Sequence, residues 1–125
     1  MITNLVDIRL VDKIQDGFPT TVVEGLLHQK KLTPQELYTF IPARTWARRI
    51  KEHRLSPEES DRIAMLQRII FLSENVFGDN EKAHAWLRRE NRALENRIPL
   101  DFLHTETGTR LIEGLLERIQ HGIYS

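Results

Sequence analysis

Arg44, Arg48 and Lys51 recur at i, i+4 and i+7, the spacing that stacks side chains on one helical face, and the Thr45 hydroxyl lies beside them. With Arg49 they form a set of side chains suited to reading DNA: cations for phosphates, Arg or Thr for base edges. The plain alternative is a solvated basic face, since such faces are common. Arg88, Arg89, Asn91, Arg92 and Arg97 form a second basic run. There the planar guanidinium fork suits carboxylates of a protein partner, again against the alternative of a solvated edge. Nothing comparable assembles for catalysis. The five histidines (28, 53, 84, 104 and 121) lack the spacing of a metal-ligand pair, cysteine is absent, and no glycine-rich phosphate loop occurs. Glu58-Glu59 falls where a helix dipole alone accounts for an acidic pair. The expectation is therefore no catalytic residue, metal, cofactor or small-molecule substrate.

Helices must position both basic runs. Thr33-Pro34-Gln35-Glu36 and Ser56-Pro57-Glu58-Glu59 repeat one start signal: a hydroxyl N-cap, proline at the first helical position and a glutamate reaching back to the cap. Thr21 with Glu24 predicts a third such box, and Asn4 and Asp79 are further cap candidates. Periodicity places helices at about 5–15, 21–30, 34–40, 43–53, 57–77, 80–90 and 107–120. Only Pro19–Val23 has strand-like character, so the fold class is all-α. The 57–77 helix carries Ile63, Leu66, Ile69, Ile70, Val76 and Phe77 on adjoining rows, and the last helix puts Leu111, Ile112, Leu115, Leu116 and Ile119 on one stripe. Gly78 and Gly122 mark helix ends. Residues 34–40, the turn Phe40-Ile41-Pro42 and the following helix make a helix-turn-helix shape, packed by Leu37, Ile41, Trp46 and Ile50.

The 125 residues suffice for one domain or two small helical units, and the zero net charge conceals an asymmetry. Residues 1–55 carry an excess of three cations and residues 56–125 an excess of three anions, which suits a front half that meets an anion and a back half that meets something else. No apolar run approaches the ~20 residues of a membrane span, and the start lacks a secretory n-region. A cytoplasmic protein is expected.

The run from Val76-Phe77-Gly78-Asp79 through Lys82-Ala83, Ala85-Trp86-Leu87-Arg88-Arg89, Asn91, Ala93-Leu94, Arg97-Ile98-Pro99-Leu100-Asp101, Leu103 and Gly108 to His121-Gly122 resembles the toxin-binding domain of the Xre/MbcA/ParS antitoxins. Residues 42–49 and 55–62 resemble the Xre-like segment of the same family, so the likeness covers most of residues 20–125. Glu95-Asn96 stands where a Gly-Gly is common, and asparagine tolerates the left-handed conformation such a turn needs. The resemblance implies an Xre-like helix-turn-helix region over 1–55, a connecting helix over 56–76 and a toxin-binding domain over 77–125. It implies an antitoxin that forms a homodimer, represses its own operon on operator DNA and covers the active site of a RES-domain toxin, whose family consumes NAD or transfers ADP-ribose. It also draws Gly122, Ile123, Tyr124 and Ser125 into the toxin-facing surface, with Tyr124 filling an aromatic slot and the Ser125 carboxylate mimicking a pyrophosphate. A stand-alone DNA-binding regulator and an adaptor with neither activity are the alternatives. Trp86, Leu87, Leu94, Pro99, Leu100 and Leu103 read as core rather than contact.

Overall fold

The computed structural model describes the backbone of residues 2–122 and the side chains of residues 8–122. The chain is all-α: α1 (Ile2–Asp16), α2 (Thr21–His28), α3 (Pro34–Phe40), α4 (Ala43–Glu52), α5 (Pro57–Phe77), α6 (Asn80–Leu87) and α7 (Glu106–Gln120), with 3₁₀ turns at Arg92–Leu94 and Pro99–Phe102. Two compact units, residues 1–64 and 65–125, divide within α5.

Both proline-marked boxes form. The Thr33 hydroxyl accepts the Glu36 N–H at 3.1 Å while Glu36 accepts the Thr33 N–H at 3.0 Å. Ser56 and Glu59 exchange the same pair of bonds at 3.1 and 2.9 Å. Asp79 caps α6 through the Glu81 N–H. The Thr21–Glu24 box does not form: Thr20 occupies the cap with backbone already helical, its N–H goes to the His53 carbonyl, and Thr21 is inside the helix. Asn4 also lies inside a helix, and its side chain is outside the described residues. Two helices stop short of their expected ends. In α2, Lys30 turns left-handed, and the Lys30 and Lys31 N–H groups bond the Leu27 and Leu26 carbonyls, the paired bonds of a Schellman stop. In α6, the Arg88 and Arg89 N–H groups make i→i+3 bonds that tighten and end the last turn.

In the first unit Val23, Leu37 and Ile41 are fully buried, with Phe18, Leu32, Phe40 and Leu55 nearly so. The chain before α2 pairs with the chain after α4: Leu55 N–H bonds the Phe18 carbonyl at 2.8 Å, and Phe18 N–H bonds the buried Ser60 hydroxyl at 2.7 Å. Gly17, at φ +87°, is required there, because a Cβ would collide with the Leu55 carbonyl oxygen. In the second unit Leu66, Ile69, Leu87, Leu103, Ile112 and Leu116 form the buried centre. Val76 and Phe77 of the expected α5 rows are only half-buried, and Phe71 is exposed. The α7 stripe is also shifted. Leu111 stands outside the core and Ile119 is half-buried, because Thr109 takes the inward row, its hydroxyl donating to the Thr105 carbonyl at 2.7 Å.

Candidate partner-binding surfaces

α4 starts after Pro42 and ends where His53 turns left-handed at φ 63°. Phe40 and Ile41 bury themselves at the turn before it, which fixes how α3 hands over to α4. Within α4, Trp46, Arg49 and Ile50 are half-buried, whereas Arg44, Ala47, Arg48 and Lys51 are exposed and Thr45 lies at the margin. Arg49 therefore departs from the other cations. Its Nε and Nη2 donate to the two Glu59 carboxylate oxygens at 2.7 and 3.2 Å, and Nη1 donates to Glu52 at 3.0 Å. Glu59 thus caps α5 and grips α4 with one carboxylate. Burial pushes the Glu59 carboxyl up, but the hydrogen bonds from Arg49 and from Ser56 outweigh it and hold the group below the usual carboxylate range. The bond to Glu59 chiefly, and then that to Glu52, raises Arg49 above the ordinary guanidinium value. Arg44, Arg48 and Lys51 enter no ion pair among the described residues, so their charges face solvent on one side of a fixed helix.

The second basic run lies on irregular chain. Asn91 organises it: its side-chain oxygen accepts the Ala93 N–H at 2.9 Å, its carbonyl accepts the Leu94 and Asn96 N–H groups, and its N–H reaches the Arg97 carbonyl at 3.0 Å. Glu95 (φ 56°) and Asn96 (φ 65°) are consecutive left-handed residues, so the turn expected at a Gly-Gly position is made without glycine. Arg97 donates to the Leu94 carbonyl at 3.2 Å and stacks 4.9 Å from the Phe102 ring centre. Arg88 donates to the His84 carbonyl at 3.1 Å. Arg89 and Arg92 are exposed. Arg89 borders a groove of about 470 Å³ with Asp79, Glu81, Lys82 and the half-buried pair Phe77 and Trp86, whose ring centres are 5.6 Å apart. A second groove, of about 270 Å³, runs between the first 3₁₀ turn and α7. The Pro99–Phe102 turn packs on both α6 and α7, and Gly108 permits the latter, since a Cβ would strike the Phe102 carbonyl oxygen. No cluster of His, Cys, Asp and Glu able to hold a metal occurs among the described residues.

Comparison with known proteins separates the same two regions. Residues 9–68 match the antitoxin Xre-like helix-turn-helix domain, and residues 73–122 match the antitoxin Xre/MbcA/ParS C-terminal toxin-binding domain. A protein named Antitoxin Xre from Yersinia enterocolitica is 35% identical over 120 residues, covering 93% of this chain and 81% of the relative. Proteins of the same name from Pseudomonas putida and Photorhabdus laumondii are 34% and 30% identical, over 93% and 90% of this chain and 74% and 78% of their own. The chain belongs to the Xre/MbcA/ParS antitoxin family. Its role is that of an antitoxin in a toxin–antitoxin system.

Within the antitoxin, the structure sorts the residues singled out from sequence. Arg44, Arg48, Lys51 and the marginal Thr45 share one side of α4, and Arg49 does not join them. Arg88, Asn91 and Arg97 each bond backbone groups of their own unit, although Arg97 stays exposed, while Arg89 and Arg92 are exposed members of that run, Arg89 at the edge of the Phe77–Trp86 groove. Gly122 ends α7 at φ 71°, while Ile123, Tyr124 and Ser125 lie outside the described residues. Sequence reasoning missed the grip of Glu59 on Arg49, ten residues apart and outside any local pattern, and it missed exposed Leu111 beside the second groove. No helix of the described residues is long and apolar enough to cross a membrane.

Proposed function

We propose that this antitoxin binds a RES-domain toxin, of the kind that consumes NAD or transfers ADP-ribose from it, covers the toxin's active site, and represses its own operon through α4. The observation that carries this reading is the pairing, in one chain, of an outward three-cation face on a helix-turn-helix with a second unit matching a toxin-binding domain. Toxin affinity is assigned to residues 77–125 and operator binding to Arg44, Thr45, Arg48 and Lys51. In that assignment Arg89 and Arg92 make toxin contacts, while Arg88, Asn91 and Arg97 shape the surface that carries them. The tail beyond Gly122, with Tyr124 and Ser125, is assigned the role of plugging the active site. The antitoxin acts in the cytoplasm as a homodimer, a state supported by Ile8 and Val11 of α1, which stand 60% and 50% exposed. Because the α4 face is complete without the second unit, a stand-alone operator-binding regulator is the second reading.

Co-expression with a RES-domain toxin, taken from the neighbouring gene where one is present, tests both. The antitoxin reading expects a co-purifying complex, restored growth and restored cellular NAD. Operator binding without any complex would favour the regulator. Deleting Gly122–Ser125 is expected to leave the complex intact while toxin activity returns; full inhibition by the truncated chain would move occlusion to the domain face. For operator DNA, Arg44→Ala and Arg48→Ala should each lower the salt slope of log affinity by about one unit where the residue contacts phosphate. A base-reading arginine would instead relax sequence preference at a cost of about 1–3 kcal/mol.

A further inference from the structure

α7 buries Thr109, Ile112, Leu115 and Leu116, yet Leu111 beside them is 52% exposed. Leu111 borders the groove of about 270 Å³ whose opposite wall is Ala93 and Leu94. Between Leu111 and Leu115 on α7 sits Gly114, which also lines the groove, and a Cβ built there would meet nothing within 4 Å. Glycine in the middle of a helix weakens it, and here no internal neighbour requires one. Its effect is to keep the groove open. Arg110 and Arg118, one turn to either side of Gly114, complete the lining, which contains no carboxylate. The Phe77–Trp86 groove differs in that respect, since Asp79 and Glu81 there offset Lys82 and Arg89.

We propose that the groove between α7 and the Arg92–Leu94 turn seats a segment of the toxin, with an apolar side chain over Gly114 between Leu111 and Leu115 and carboxylates against Arg110 and Arg118. The inference rests on the antitoxin reading above and names the surface that carries its affinity. Burial of Leu111 supplies the non-directional part of the attraction, and the guanidinium forks supply register and a preference for acidic flanks. Arg110 is held at one end by Glu106, 3.2 Å from its Nε, which leaves its Nη groups to a partner.

The test uses the full chain and a RES-domain toxin that co-purifies with it, measured by calorimetry at two salt concentrations. Gly114→Leu fills the groove while improving the helix, its Cβ meeting nothing within 4 Å, and an unchanged urea midpoint is expected to separate loss of binding from unfolding. Gly114→Leu and Arg118→Glu should each raise Kd at least tenfold, and added salt should weaken the wild-type complex more than the Arg118→Glu complex. Lys30→Glu, an exposed charge reversal in the first unit, should leave Kd within about twofold. A wild-type complex untouched by Gly114→Leu and Arg118→Glu would overturn the groove alone. Absence of any wild-type complex would sink the RES-toxin reading and the groove with it. A change in self-association of the isolated Gly114→Leu chain, seen by sedimentation, would reassign the groove to a second copy and overturn the proposal.

Discussion

Residues 44–51 lie on a regular helix, where backbone carbonyls are bonded within the helix and side chains are left to face outward or inward by position. Residues 88–97 lie on chain that leaves α6, makes one 3₁₀ turn and reverses through two left-handed residues, where carbonyls need other donors. The same residue type meets different fates in the two places. On α4 the backbone takes nothing from arginine, so Arg44 and Arg48 remain outward and only Arg49 turns in, toward Glu59. On the irregular stretch Arg88 and Arg97 donate to carbonyls at His84 and Leu94. A basic cluster in sequence is therefore a binding surface only to the extent that the local backbone has no use for its donors.

The largest test of that contrast is the ion pair that holds α4. Glu59→Ala leaves the part-buried Arg49 with Glu52 alone and removes the α5 capping bond, and is expected to cost about 3–4 kcal/mol in urea unfolding. Arg44→Ala and Arg48→Ala should stay within about 0.5 kcal/mol while weakening operator binding. Equal stability loss at all three sites would erase the distinction. The pair also sets an acid dependence. Glu59 is depressed in the folded chain, so the unfolded chain binds more protons as pH falls below the ordinary carboxylate value of about 4.3. Its contribution is complete above that value and is lost as pH drops through the folded one. Glu59→Gln should therefore flatten stability against pH in that acidic window and leave the slope near neutrality unchanged.

Next in size are the positions where backbone meets backbone. Gly108→Ala forces a methyl onto the Phe102 carbonyl and should cost about 3 kcal/mol, the upper end for overpacking, with toxin binding lost in proportion to unfolding. Asn91→Ala removes the bond to the Ala93 N–H and should cost about 1 kcal/mol, the usual value of a cap. Toxin affinity that fell in Asn91→Ala far more than stability did would make Asn91 a contact rather than an organiser.

Local rules carried most of the architecture. Hydroxyl–proline–glutamate starts and the 3.6-residue period located the helices, because both depend on neighbours within four residues. The Thr21–Glu24 box failed on a long-range fact, the engagement of Thr20 by His53 across the unit. Leu111 was placed on the apolar stripe of the last helix because periodicity counts apolar residues without knowing how wide a stripe the unit can cover, and Thr109, a polar residue, took the inward place. The helix-turn-helix face was legible for Arg44, Arg48 and Lys51, since helix geometry alone aligns them. It was not legible for Arg49, whose fate depends on a carboxylate brought near by tertiary packing.

The smallest expected effect falls on the turn that stands where glycines are common. Glu95 holds φ 56° and ψ 41°, a conformation that costs a non-glycine L-residue about 1–2 kcal/mol. Its side chain is 86% exposed, and the 3.5 Å ion pair it makes with Arg97 is between two solvated groups, so little stability comes from it. Glu95→Gly removes the Cβ strain but loosens the unfolded chain, and the balance should be a gain of about 0.5 kcal/mol in urea unfolding. Glu95→Ala separates the two causes, since it deletes the ion pair and keeps the Cβ; stability should then hold steady or fall slightly. If both variants lose stability equally, the carboxylate rather than the backbone is what matters at this position, and Arg97 would have to be held by Glu95 more than by Leu94 and Phe102. If Glu95→Gly gains stability and toxin affinity is unmoved, the left-handed pair serves as a frame for the stretch, with binding carried by Arg89 and Arg92 rather than by the turn itself.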